Sequence, residues 1–342
     1  MLTLYIIKPM NFKSSFNIYI LILLTLNLTS CSSEGDVLVS NVVESTNTII
    51  GSEPTNNQST TVTSQEIVLN SNSTNSFLFT PDGALSDKPI DVFYHIPDGE
   101  IKNFSILFSF HGNSRNASNY RNYWIEMANE NKFMVFAPKF DDINFEGGDK
   151  YNLANIFDDG DNPSIESYNP PELWSFSVID QLFDFIVSKV EGNQTNYNAW
   201  GHSAGAQFLH RFLLYLPNNK LNIGVISNAG WYTVPVKDFD FPYGIANSQL
   251  EDSTLVNAFS KKLYVHLGKN DTNPNSSGLR HNDVVDLQGL NRFERGKFYF
   301  QRSSIKSESL NGTFNWEKIE VPDVDHNASL MALDALQYIL QE

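Results

Sequence analysis

Cysteine is almost absent from this chain: one, Cys31, stands among 342 residues. That excludes an internal disulfide framework and any zinc site built on several thiolates. Basic charge is scarce as well, with 23 Lys and Arg against 39 Asp and Glu and a net charge of −16. A chain so acidic lacks the positive face by which proteins grip nucleic acid, so no nucleic-acid partner is expected. Long apolar runs are missing too. The longest, Phe16 to Leu26, is about half of the ~20 residues that a helix needs to span a bilayer. What remains is a chain with 41% hydrophobic and 13% aromatic residues, enough for a substantial core.

The short apolar run is preceded by Lys8 and Lys13 and followed by Leu28-Thr29-Ser30-Cys31. A basic start, a brief hydrophobic stretch and small residues before a cut site describe a secretory signal peptide over residues 1–30. Met10 offers an alternative start to the same signal. Leu28 to Cys31 resembles the lipobox of bacterial lipoproteins, which implies acylation of Cys31, a membrane partner reached through that lipid, and a place in the bacterial cell envelope. Residues 31–76 are rich in Ser, Thr and Asn without a sustained period, and read as a tether. The folded body is expected over residues 77–342.

In that body apolar runs alternate with helical patterns. Ile90–Ile96, Ser105–Phe110, Phe133–Ala137, Asn196–Trp200, Ile223–Ile226 and Leu263–Leu267 read as strands. Phe176, Ile179, Phe183, Ile186 and Val190 step by three and four, marking one face of a helix. Tyr120, Tyr123, Trp124, Met127 and Ala128 also recur at helical spacing, and two further helices are expected, one after Ser203 that stops at Pro217 and one over Ala328–Leu340. Strands alternating with helices predict an α/β fold, a mostly parallel twisted sheet covered on both faces. The stretch 141–171, rich in Asp, Asn and Gly, breaks the alternation and reads as an insertion near the mouth of a site. Its Asp158–Asp161 run does not match the spacing of a calcium loop, so it reads as solvated acid and no metal site is expected.

The sharpest motif is Gly201-His202-Ser203-Ala204-Gly205, with a strand before it and a helix after it. A serine on so tight a turn is held out as a nucleophile, provided that a base takes its proton. With these flanks the segment resembles the α/β-hydrolase family, and the likeness extends from Ser105 to Glu342. It implies an acid and a late histidine, in that chain order. Asp271, in the G-x-x-D turn Gly268–Asp271, and His326, before the last helix, fit those places. Asp323 and Asp325 lie too close to His326 in sequence for the usual arrangement. The resemblance also implies oxyanion donors at Ala204 and at Asn113 of His111-Gly112-Asn113. Within the superfamily, H-G-N, A-S-N-Y and G-H-S-A-G are similar to esterases related to polyhydroxybutyrate depolymerases and feruloyl or acetyl-xylan esterases.

The activity so implied is hydrolysis of carboxylic esters on a polysaccharide or related polymer through an acyl-enzyme, with no cofactor. A polyester depolymerase, a serine peptidase and a non-catalytic glycan-binding lipoprotein on the same fold stay open as alternatives. Trp231 and Tyr232, after a strand on the carboxyl edge, are expected either to stack on a substrate sugar or aryl group or to anchor their loop.

Overall fold

The computed structural model describes residues 66–341. The signal peptide, Cys31 and most of the expected tether lie outside the described residues. Eight strands form one sheet: β1 (Ser73–Phe79), β2 (Ile90–Ile96), β3 (Ser105–Phe110), β4 (Phe133–Lys139), β5 (Tyr197–His202), β6 (Leu221–Ser227), β7 (Lys262–Gly268) and β8 (Trp316–Val321). Eight α-helices accompany them: α1 (Ala117–Asn122), α2 (Ile125–Asn131), α3 (Gly147–Lys150), α4 (Ser177–Val190), α5 (Ala204–Tyr215), α6 (Asp252–Ser260), α7 (Arg292–Ser309) and α8 (Ala328–Ile339). The strand order is β1-β2-β4-β3-β5-β6-β7-β8. β2 runs antiparallel to β1 and β4, and β3 through β8 are parallel to their neighbours.

Alternation along each strand sends side chains to opposite faces, and the core divides accordingly. Ile106, Phe108 and Phe110 of β3 pack with the apolar faces of α4 and α5, including Ile179, Phe183, Phe208 and Leu209. Leu107, from the other face of the same strand, packs with Trp124, Met127, Trp200 and, from α8, Met331 and Ala335. Truncating a fully buried Phe here to Ala would cost about 3–5 kcal/mol, cavity included.

Two expectations are corrected. Residues 73–76 belong to β1, paired with β2 from Ser73↔Ile96 onward, and Leu69 is already buried, so the folded body begins ahead of residue 77. The helix face read from Tyr120 to Ala128 is two short helices with a break at Tyr123 and Trp124. Several elements had no reading in the sequence, β1, α6, α7 and β8 among them. Helix α7 is highly charged, yet its start carries a legible signal. The Asn291 side chain accepts from Glu294 N–H at 3.0 Å, and Glu294 accepts from Leu290 N–H at 2.9 Å, a reciprocal cap.

The insertion 141–171 is packed rather than splayed into solvent. Tyr151, Leu153, Ala154, Ile156 and Phe157 are all buried. The Tyr151 hydroxyl donates to the His111 carbonyl at 2.7 Å, and Arg115 lies 4.5 Å over the Tyr151 ring while donating to the Gly147 carbonyl. The insertion is thereby fastened to the loop that follows β3.

Candidate active site

Ser203 stands between the end of β5 and the start of α5 with φ 56° and ψ −117°, a conformation that is strained for any residue with a β-carbon. The neighbouring glycines show why the chain tolerates it. A β-carbon on Gly201 would lie 2.4 Å from the Gly205 carbonyl oxygen, and one on Gly205 would lie 2.1 Å from the Phe110 oxygen. Only glycine at both places lets α5 start this close to β5 and β3. The turn is pinned by Ser203 N–H, which donates to Ser227 O of β6 at 3.0 Å.

The acid comes from the turn after β7 and the histidine from the segment between β8 and α8. His326 Nδ1 lies 2.7 Å from Asp271 Oδ2. Asp271 is buried and His326 is partly exposed, so the imidazole opens to the cleft while its acid stays dry. The two loops are stitched by backbone bonds: Asn270 N–H donates to Val324 O at 2.9 Å and Lys269 N–H to Val321 O at 2.9 Å. A β-carbon on Gly268 would fall 2.6 Å from Val324 O, which explains the glycine of the G-x-x-D turn as a close approach. The His326 ring packs 4.5 Å from the ring of His202, the residue before Ser203. The three sequence-predicted residues thus share one end of the sheet, although none of the hydrogen bonds among the described residues joins Ser203 Oγ to His326. Contacts of this kind commonly tighten only when substrate binds.

The loop after β3 is built around a neutral histidine. His111 is wholly buried, which, with Arg115 and Lys139 nearby, pushes its pKa down to about 3. Phe140 N–H donates to His111 Nε2 at 3.1 Å, so the proton sits on Nδ1 and is given to Gly112 O at 2.8 Å. Arg115 N–H donates to the same oxygen at 3.2 Å. In a trans peptide the carbonyl and the following N–H point in opposite directions. Holding Gly112 O therefore turns Asn113 N–H the other way, away from His111 Nδ1. Gly112 is itself beside the nucleophile: a β-carbon there would lie 3.8 Å from Ser203 Cβ and 2.8 Å from Tyr120 Oη. Ala204, the other expected donor, is the first residue of α5, where N–H groups lack intrahelical partners and favour negative charge.

Trp231 and Tyr232 do not meet the substrate-stacking expectation. Tyr232 is fully buried and stacks on Tyr299 at 4.5 Å, which leaves no ring face for a ligand. Trp231 is 4% exposed, and the guanidinium groups of Arg211 and Arg280 lie against its ring at 4.4 and 5.0 Å. Both residues anchor their loop, the alternative that the sequence had left open.

Several site residues had no reading in the sequence. Arg292, from the first turn of α7, reaches the second oxygen of Asp271 at 3.5 Å; both side chains are buried. Asn228, at φ 49° just past β6, accepts from Gly268 N–H at 2.7 Å and donates to Asp325 O at 2.8 Å, tying the acid's loop to the histidine's. Inside the sheet runs a second row of the same residue types. Trp200 Nε1–H donates to Ser227 Oγ at 2.9 Å, Ser227 Oγ meets His266 Nδ1 at 2.8 Å, and His266 Nε2 meets Asp334 at 2.7 Å. Burial holds the pKa of His266 below its ordinary value, against the pull of Asp334.

A mostly parallel eight-stranded sheet with a serine on a strained strand-to-helix turn, and an acid and a histidine on later loops, defines the α/β-hydrolase fold. Comparison with solved structures narrows the class. Poly(aspartic acid) hydrolase-1 from Sphingomonas sp. KT-1 superposes with a TM-score of 0.74 at 33% identity, over 78% of this chain and 98% of its own. LpqC, a poly(3-hydroxybutyrate) depolymerase from Bordetella parapertussis, has the same fold with a TM-score of 0.72 at 23% identity, over 78% and 90% of the two chains. No family model matches the chain, and no curated protein matches it. The chain belongs to the α/β-hydrolase superfamily, and these two structural neighbours are a hydrolase and a depolymerase.

Proposed function

We propose that the protein is a serine carboxylic-ester hydrolase that works through an acyl-enzyme. Ser203 attacks the ester carbonyl, and His326 Nε2 accepts its proton and returns it to the leaving alcohol. Water then attacks the acyl group with the same histidine as base. Asp271 holds Nδ1, so that the nitrogen facing Ser203 is the basic one. The backbone N–H groups of Ala204 and Asn113 receive the negative charge that develops on the carbonyl oxygen. The reading rests chiefly on the 2.7 Å Asp271–His326 pair, on loops stitched beside a serine held in a strained turn. Neither the acyl nor the leaving group calls for a metal or an organic cofactor in this sequence of steps.

The leader pattern and Cys31 support a lipid-anchored protein of the bacterial cell envelope acting on a polymer or its fragments, with acylated polysaccharide or polyester as the class. A second reading is favoured by one observation, the 33% identity to a poly(aspartic acid) hydrolase: the same three residues would cleave an amide of a polymer backbone. Both readings require Ser203. In Ser203→Ala, hydrolysis of p-nitrophenyl acetate should fall by roughly four to six orders of magnitude, with the thermal midpoint within a few degrees of the parent. Retained turnover in that variant overturns both readings. Parallel assays of polyester, acetylated xylan and poly(aspartic acid) then choose between ester and amide.

A further inference from the structure

The loop residue expected to stack on a sugar is covered by cations instead, and that covering carries an inference that deepens the hydrolase reading above and rests on it. Gln207 lies one helical turn after Ser203, about 6 Å along α5. Its amide sits 3.2 Å from Trp231 N and 3.1 Å from the indole Nε1, within reach of both N–H groups. Against that indole lie Arg211 and Arg280. Arg211 is fully buried and bonds only neutral oxygens, those of Thr233, Asn152 and Gln207, while its Nη2 has no partner. Among the described residues no carboxylate forms an ion pair with it. Arg280 is different: its side chain is 35% exposed, and it pairs with Asp161 of the inserted segment, itself 50% exposed. Arg280 also donates to Tyr243 Oη at 3.2 Å, and Asp161, Tyr243, Arg280 and Asn282 line an open cleft of about 470 Å³. In a chain of net charge −16, these two guanidinium groups share one indole, with Asp161 hydrogen-bonded to Arg280 and Asp149 close by.

We propose that Arg280, stacked on Trp231 and backed by Arg211, is a carboxylate-binding subsite of the catalytic cleft, and that Asp161 occupies the place of the substrate's carboxylate in the free protein. The preferred substrate then carries a carboxylate a short chain away from the scissile carbonyl. Asp161 sits on an exposed loop, so a substrate displaces it by exchanging one ion pair for another, and the guanidinium fork suits a carboxylate in either state. A purely structural Arg280–Asp161 pair would hold the insertion in place without distinguishing charged from neutral substrates.

The test uses the full-length protein and two esters of similar length, p-nitrophenyl butyrate and the mono-p-nitrophenyl ester of glutaric acid. The readout is the ratio of kcat/KM for the anionic ester to that for the neutral one. Arg280→Gln should lower that ratio roughly ten- to a hundredfold through KM, Arg280→Lys should restore part of it, and Asp161→Asn should raise it severalfold. A ratio that stays the same in Arg280→Gln and in Asp161→Asn overturns the subsite. An independent arm measures glutarate binding by calorimetry in the Ser203→Ala background, where turnover plays no part. Binding that is weakened by adding Arg280→Gln supports the subsite, and equal binding, or none in either protein, overturns it. A parent protein that hydrolyses neither ester counts against the ester reading alone, since the calorimetric arm still decides the subsite.

Discussion

Two rows of serine, histidine and aspartate lie on neighbouring strands and loops of this molecule, and their hydrogen bonds are arranged in opposite ways. In the outer row Asp271 takes Nδ1 of His326, and Nε2 has no hydrogen bond among the described residues. In the inner row Ser227 takes Nδ1 of His266 and Asp334 takes Nε2, so neither nitrogen is left for a substrate. Ser203 is half-buried on a strained turn, whereas Ser227 is fully buried on a regular strand and accepts from the Trp200 indole. Donors and acceptors in the inner row are matched one to one: the indole gives to the hydroxyl, the hydroxyl to Nδ1, and Nε2–H to the carboxylate. A saturated row of this kind stabilises a sheet, because a buried polar group with its partners in place escapes the penalty of an orphan. An unsaturated row with one free nitrogen and an accessible hydroxyl is what catalysis needs. The residue types alone do not distinguish them; access and the choice of nitrogen do.

The comparison breaks most sharply under paired substitution. His326→Ala should remove ester turnover by roughly four orders of magnitude or more and leave the unfolding midpoint nearly unchanged. His266→Ala should do the reverse, costing about 2–4 kcal/mol in chemical denaturation for the orphaned Ser227 and Asp334, with turnover within a fewfold of the parent where the protein remains folded. Equal losses of activity from the two variants would erase the distinction drawn here. Asp271→Asn against Asp334→Asn sharpens it further. The first should lower kcat by roughly 10⁴ through the wrong tautomer of His326, and the second by less than tenfold.

His111 tests the loop that follows β3. In His111→Leu the Gly112 carbonyl loses one of its two donors and Phe140 N–H loses its acceptor, so kcat should fall roughly 10- to 1000-fold with KM for a short ester changed far less. A KM effect of the same size would mean that the loop shapes the pocket and does not aim Asn113 N–H.

The last prediction concerns pH. His111 holds its folded-state pKa near 3, against about 6.5 in the unfolded chain. As pH falls below about 6.5 the unfolded state takes up the proton first, so stability declines from there down to about pH 3 and is complete above that window. One such histidine contributes a slope of about 1.4 kcal/mol per pH unit. His202, His210 and His266 are also buried with lowered pKa values and act in the same direction. Denaturation curves at pH 7, 6 and 5 should therefore show falling stability, and His111→Leu should flatten the slope. A parent protein that gains stability on acidification would contradict this account.

Much of the scaffold was legible because it is local. β2 and β3 have the bounds that alternation and apolar runs assigned, and α5 follows the elbow as its apolar face required. The elbow could be read because its constraint is steric and lies within five consecutive residues. β8 escaped notice because its residues are only half-buried at a sheet edge, which weakens the alternation. Helix α7 escaped because its charged surface hides the narrow face on which Gly296 approaches Leu267.

Fold class, strand and helix alternation and the three spaced residues Ser203, Asp271 and His326 followed from the sequence, since each depends on neighbours a few positions away or on a shared chain order. Which nitrogen of each histidine is left open, that Arg292 backs Asp271, that Asn228 ties two loops together and that cations cover Trp231 were decided only by the tertiary structure. Those contacts join residues 20 to about 100 positions apart, as from Arg211 to Trp231 and from Asn228 to Asp325. The energy of a hydrogen bond or a buried charge depends on what surrounds it in space, and the packing of the sheet supplies those surroundings.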